Sequence, residues 1–341
     1  YLKSPESLLI PATAPVKGPF ASEYIIRLNA AGQVMWNSFG WPVAAGTTQN
    51  FSNMTSGANE SVYMASVEDN ICYLLKINGL TGEILWKKVL PSVMFVKHIV
   101  ERTENDIAIV TYNNSYRLHA YAADDGHELW NRSLATQPDM LASDVAGDLY
   151  FSMGDSLFKV DGTQPEQYIW RIRVSIPLNS WNETLTRTYI EPGDSSMTVF
   201  GYNSGGFGIY AHINTQSGLV NLARQTSGTE KMRDFVVRGD TIFSCWQHAY
   251  VGSGTKRFSL LASRISDGQF VYQQFYDINY PGSSDPVSGN AGALSLDVDH
   301  EGYLYLTGYD YSDNYEPGLW GIVKVQASDG IKVWDSLLDD T

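Results

Sequence analysis

One phrase returns seven times down this chain and restricts the fold more than any other feature. Its clearest copy is YLLKINGLTGEILWKKVL (73–90), with two alternating apolar runs, a turn at Thr81-Gly82, and Trp86 four residues after the glycine. Further copies occupy 24–39, 116–134, 157–174, 208–225, 259–276 and 321–338. The turn glycines Gly32, Gly82, Gly126, Gly218, Gly268 and Gly330 precede Trp36, Trp86, Trp130, Leu222, Tyr272 and Trp334 by four residues. The copy at 157–174 has a longer turn and still reaches Trp170. A repeat at this spacing means one supersecondary unit stacked many times, in a ring or a line.

A second phrase precedes each hairpin. SDVAGDLYFSMG (143–154) and DVDHEGYLYLTG (297–308) share Asp-x-x-Gly-x-Leu-Tyr, and 102–112 and 236–246 are looser versions. Each reads as strand, polar turn, strand. The unit is then four strands, A and B joined by the polar turn, C and D by the glycine turn. Glycine suits the C–D turn because it takes positive φ without steric cost. Seven such units predict an all-β, seven-bladed β-propeller of WD40-like architecture, with four antiparallel strands per blade. It fills 1–341 as a single domain, with blades near 1–39, 58–90, 94–135, 138–175, 184–227, 231–276 and 290–341. The tryptophans are expected to pack between blades.

The hairpins resemble the PQQ-type propeller repeat, an apolar strand followed by x-x-Gly-x-x-x-Trp. The stretch 297–334 is also similar to the Asp-x-x-Gly-x-Tyr repeat of bacterial-type seven-bladed propellers. Quinoprotein dehydrogenases with such repeats, usually eight, hold PQQ with a disulfide between adjacent cysteines and with calcium carboxylates. Here there are seven repeats and two distant cysteines, Cys72 and Cys245. The resemblance therefore implies a non-quinoprotein member, with no bound cofactor.

The sequence carries no Cys-x-x-Cys, His-Glu-x-x-His, phosphate-binding loop or Gly-x-Ser-x-Gly. His98, His119, His127, His212, His248 and His300 show no metal spacing. Asp310, Asp313 and Glu316 share one loop, the best calcium candidates, although a solvated acidic loop is the preferred reading. The net charge of -14 excludes a nucleic-acid partner, because phosphate repels an acidic surface. No apolar run reaches the length of about 18 residues that spans a bilayer.

Sequons stand at Asn50, Asn53, Asn59, Asn113, Asn131 and Asn182, the first three in one polar loop. With the scarce cysteines, they predict a secreted or cell-surface glycoprotein, and the start at Tyr1 suits a removed leader. On the propeller topology, 40–60, 177–188 and 277–292 are D-to-A crossovers, and 201–207, 247–257 and 309–319 are B–C loops. These elaborated segments share one face, where function is expected. Five of the six sequons are expected there, with Asn131 on an outer strand D. In the later blades that face carries Phe207, His248, Tyr250, Tyr280, Tyr309, Tyr311 and Tyr315, aromatics suited to protein or carbohydrate contact.

The functional expectation is a non-catalytic extracellular or cell-surface module for protein interaction or structural assembly, with a protein partner or self-assembly. It would stand alone or within a larger surface protein or filament. The alternatives are a carbohydrate-binding, lectin-like propeller and a degenerate quinoprotein-like oxidoreductase. Cys72 and Cys245 fall in blades far apart and are expected to form no disulfide. No strand is left over to cross the seam between the last blade and the first, so that seam is expected to rest on Trp334.

Overall fold

In a computed structural model, the described residues are 7–13, 23–29, 33–37, 49–154, 156–173, 183–190, 195–203, 208–225, 232–247, 258–276, 292–310 and 319–338. All their regular structure is β, and no helix among them is long and apolar enough to cross a membrane. The strands form six four-stranded antiparallel sheets and one three-stranded sheet. The sequence phrases predict seven four-stranded blades, and the structure corrects this to six, which are the second to seventh sheets in chain order after the three-stranded one. The sheet at 7–37 has strands equivalent to B, C and D: Ser7–Thr13, Glu23–Asn29 and Val34–Asn37. The reason for the difference is that the glycine–tryptophan phrase lies in strands C and D. It counts hairpins and says nothing about strand A. Residues 1–6, where a strand A of this sheet would fall, lie outside the described residues.

The next sheet also differs. Its strand A is Gln49–Ser56, inside the segment read as a crossover, so this blade starts at 49 and not at 58. The sequence QNFSNMTS has no apolar alternation to announce a strand. It is held instead by the ladder to Ser61–Glu68 and by Asn53, whose Nδ2 donates to the Lys97 carbonyl of the following blade at 2.8 Å. In the fifth blade, strand A begins at Glu183, again inside a predicted crossover. The other four-stranded sheets run over Phe95–Leu134, Met140–Arg173, Glu183–Gln225, Met232–Tyr276 and Gly292–Leu338.

Side chains of strands A to C fill the layers between neighbouring blades. Tyr63 and Leu74 of the second blade meet Val96, Ile107 and Ile109 of the third. Val110 and Leu118 of the third meet Leu149 and Phe151 of the fourth. The pattern continues through Tyr150 against Val199, Phe200 against Phe235, and Phe243 against Leu296. Each fully buried ring or branched chain contributes about 1.5–3 kcal/mol, so stability is spread around the ring.

The two phrases now have physical meanings. In the A–B turn of the fourth blade, Asp144 Oδ1 accepts the Ala146 and Asp148 amides at 3.1 and 2.9 Å. Its Oδ2 accepts the Tyr150 hydroxyl at 2.7 Å. Asp299 does the same in the last blade, with the Gly302 and Tyr303 amides at 2.8 Å and the Tyr305 hydroxyl at 3.0 Å. One carboxylate closes the turn and ties it to strand B. In the C–D hairpin, all seven sheets carry a register shift just after the residue facing the Trp36, Trp86 or equivalent position. This β-bulge lifts the residue before the ring out of the ladder. Met35, Leu85, Leu129, Ile169, Val271 and Val333 are therefore apolar and exposed.

Candidate functional site

Three strand-D tryptophans lock onto the next blade by the same hydrogen bond. The Trp36 Nε1 donates to the Gly79 carbonyl at 2.9 Å, Trp86 to Ala123 at 3.2 Å, and Trp170 to Thr215 at 3.0 Å. The basic residue facing the ring across the hairpin shares the same carbonyl: Arg27 on Gly79, Lys76 on Ala123 at 2.9 Å, Lys159 on Thr215 at 3.4 Å. The turn glycine of the receiving blade lies against the indole. A Cβ on Gly82 would come within 2.8 Å of Trp36, and one on Gly126 within 3.1 Å of Trp86. Positive φ and the absent side chain are both required there.

Between the sixth and seventh blades the lock is altered, and a cleft opens. Tyr272 replaces the tryptophan, and its hydroxyl donates to the Ala327 carbonyl at 2.8 Å. The residue facing it is Ala262 instead of a cation. Tyr276 adds a second hydrogen bond, to the Gly330 carbonyl at 2.7 Å. The smaller phenol and the missing long chain leave a cleft of about 640 Å³ on the face of the A–B and C–D turns. That volume is in the range of small-ligand and side-chain pockets. Phe243, Val271, Tyr272 and Tyr303 supply apolar surface, and Arg238 and Glu301 stand among its polar groups. Val271 is the bulged residue of strand D, 44% exposed.

The cleft is held from both sides. Arg238 reaches across to the Asp299 and His300 carbonyls at 3.4 and 3.1 Å. Buried Asp234 accepts the Ser295 hydroxyl at 2.7 Å and the Leu296 amide at 3.0 Å. Burial, with Asp329 nearby, raises the Tyr272 pKa well above the usual phenol value, so it stays a neutral donor. No histidine or cysteine lines the cleft. Its groups can bind an apolar side chain and hydrogen-bond a backbone. The turns around it carry exposed Asp240, Glu301 and Asp329.

The family described as outer membrane protein assembly factor BamB, a PQQ-repeat family, matches residues 21–274, most of the chain. The chain belongs to this family. No curated protein sequence matches it. Among solved structures, a chain of a mitotic checkpoint complex is similar with a TM-score of 0.60 at 12% identity, covering 88% of this chain and 82% of that one. Hydrazine synthase of Kuenenia stuttgartiensis is similar with a TM-score of 0.60 at 10% identity over 81% and 76%. Sqt1 of Saccharomyces cerevisiae gives 0.59 at 9% over 98% and 86%. At such identities these likenesses carry the propeller fold alone.

Within this BamB-type propeller, the residues singled out in the sequence are scattered. Phe207, His248, Tyr250, Tyr280, Tyr311, Tyr315, Asp313, Glu316 and Asn182 lie outside the described residues. Tyr309 and Asp310 end strand B of the last blade, on the face opposite the cleft. Asn50 and Asn53 lie in a strand and not in an exposed crossover. Asn59 lies in an A–B turn, exposed and at positive φ, and so on the cleft's face and not the opposite one. Asn113 is exposed in a B–C turn. Asn131 is exposed on strand D, its Nδ2 donating to Glu128 at 2.6 Å.

Cys72 and Cys245 are both buried and form no disulfide, as their spacing predicts. The cluster that sequence spacing did not announce is Asp124, Asp125 and His127, whose ligand atoms lie within 4.8 Å of one another in an exposed C–D turn. Asp125 Oδ1 accepts the His127 amide at 2.9 Å, and Asp124 Oδ1 accepts the Asp125 amide at 2.8 Å. These oxygens build the turn. The cleft itself was missed because Tyr for Trp reads as a conservative change. Its signal was Tyr272 facing Ala262, a hairpin with neither the tryptophan nor a Lys or Arg opposite it, a departure shared with Leu222 facing His212.

Proposed function

We propose that this propeller is a non-catalytic protein-interaction module that works in assembly, at the cell surface or outside the cell. The observation that carries the reading is the cleft between the sixth and seventh blades, where an altered repeat opens a preformed site with both apolar and polar lining. Its lining groups bind and do not react. Membership of a family described as an assembly factor supports the same reading, as does the occurrence of this fold in a checkpoint complex. The extracellular setting is supported by the exposed sequons at Asn59 and Asn113.

We also infer that the three-stranded sheet is a blade of the same ring, the first in chain order, and closes it. The last blade repeats the fourth. Lys324 lies over Tyr305 at 5.1 Å as Lys159 does over Tyr150 at 5.2 Å, and Trp334 meets Tyr305 at 6.3 Å as Trp170 meets Tyr150 at 5.8 Å. Trp170 and Lys159 dock on the following blade's turn. By this likeness Trp334 and Lys324 are the groups that join the last blade to the first sheet. Cross-linking mass spectrometry in the native source tests the functional reading. A recurring protein partner is expected. Recovery of no partner, together with glycan-array binding or a quinone spectrum on adding PQQ and calcium, would contradict it.

A further inference from the structure

We propose that the cleft between the sixth and seventh blades docks an extended, basic segment of a partner protein. The segment pairs with the outer edge of strand Phe270–Tyr276 and seats one apolar side chain between Tyr272 and Tyr303. This inference rests on the interaction-module reading and specifies its site.

Three independent observations converge here. The first is the cleft itself, large enough for an aromatic or branched side chain and bounded by two tyrosines and Phe243. The second is the strand beside it. Among the described sheets, Phe270–Tyr276 is outermost in its blade and pairs only with Phe258–Arg264. Proteins normally blunt such an edge with charge. The outer strands ILWKKV, ELWNRSL, YIWRIR, VNLARQ and KVWDSLL contain charged residues, whereas FVYQQFY and the four-residue VMWN of the first sheet have none, and of these two only FVYQQFY borders the cleft. It exposes Phe270 at 61%, Val271 at 44% and Phe275 at 36%. An open, uncharged, apolar edge next to a pocket is the arrangement that strand addition uses. The ladder supplies affinity and the pocket supplies specificity.

The third observation fixes the charge of the occupant. Glu301, Asp240 and Asp329 stand exposed around the cleft. Of the nearby cations, Arg264 is paired with Asp267 at 3.2 Å, and Arg238, which donates to the neutral Asp299 and His300 carbonyls, offsets one of these three carboxylates. The uncompensated charge at the rim is negative, and the whole chain carries -14. Lysines or arginines flanking the apolar anchor complement it and steer the segment to this face.

The test is fluorescence anisotropy with a labelled nonapeptide of alternating lysine and threonine around a central phenylalanine. Saturable binding is expected, weakened at least about tenfold when the phenylalanine becomes serine or the lysines become glutamate. Val271→Lys, at an exposed position, should weaken binding by a similar factor, as should Tyr272→Trp, which refills the cleft. Leu85→Lys, the same bulge position in the second blade, should leave binding unchanged. The proposal is overturned if no saturable binding occurs, if the serine peptide binds as well as the phenylalanine peptide, or if Leu85→Lys weakens binding as much as Val271→Lys. Should Tyr272→Trp fail to fold, Val271→Lys still decides. A partner cross-linked to the opposite face would overturn the cleft while leaving the interaction reading intact.

Discussion

Trp86 of the second blade lies against Gly126 of the third, its Nε1 donating to the Ala123 carbonyl at 3.2 Å. The two residues belong to different copies of one phrase. The phrase recurs because each copy is both the key for the next blade and the lock for the previous one.

Replacement on either side of this contact should therefore weaken the same junction. Trp86→Ala removes a half-buried ring and one hydrogen bond and should cost about 3 kcal/mol. Gly126→Ala places a Cβ against the indole at a φ of 70°, where a left-handed conformation alone costs about 1–2 kcal/mol. Urea unfolding of both single variants and the double variant checks the pairing. The two costs should sum to more than the double variant loses, because both remove one contact. Strict additivity would count against the lock.

Stability should hold a plateau near neutrality and fall on both sides. Burial pushes the Cys72 thiol up to about 12 and the Tyr63 phenol up to about 12, and it raises Tyr272, Tyr276 and Tyr305 further. Groups raised on folding contribute fully below their unfolded pKa and lose that contribution as pH rises toward the folded value. The loss should begin near pH 9 for the thiol and near 10 for the phenols. His119 is lowered by burial, with its Nδ1 3.0 Å from Glu128 and its Nε2 2.9 Å from Thr111. Its contribution is present above about pH 6.5 and is lost as pH falls below that. Urea midpoints measured from pH 5 to 11 should trace this shape, and a midpoint still unchanged at pH 11 would contradict it.

Thiol chemistry gives a simple companion test. Cys72 is 1% exposed and Cys245 is fully buried. Neither should react with a thiol reagent at pH 8 in the native protein, and both should react in denaturant without reductant. Rapid native labelling would place at least one of them outside its core layer.

Glycan occupancy should follow the turns and not the cluster of sequons. Asn59 and Asn113 are exposed in turns, whereas the Asn53 amide is committed to the Lys97 carbonyl inside a sheet. In protein secreted from a glycosylating host, peptide mass spectrometry should find sugar at Asn59 and Asn113 and none at Asn53. Full occupancy at Asn53 would mean that strand Gln49–Ser56 does not form.

The hairpins were legible because the glycine and the ring obey a steric rule, and steric rules leave fixed spacings. The Asp-x-x-Gly-x-Leu-Tyr phrase was legible as a repeat, though not as a carboxylate accepting turn amides and the Tyr150 hydroxyl. Strand Gln49–Ser56 was illegible because backbone ladders and Asn53 hold it, not apolar alternation. The blade count was overstated because strand A has no phrase of its own. The cleft was illegible for a related reason: it arises from what Tyr272 and Ala262 lack.

The account's central claim is that the lock made by Trp36, Trp86 and Trp170 is repeated at the seam, where Trp334 joins the last blade to the first sheet. Hydrogen exchange of Trp334→Ala against the wild type tests it most directly. The account predicts faster exchange in Glu23–Asn29 and Val34–Asn37, with the third to fifth blades unchanged. Unaltered protection in the first sheet, or a uniform loss across all blades, would contradict it.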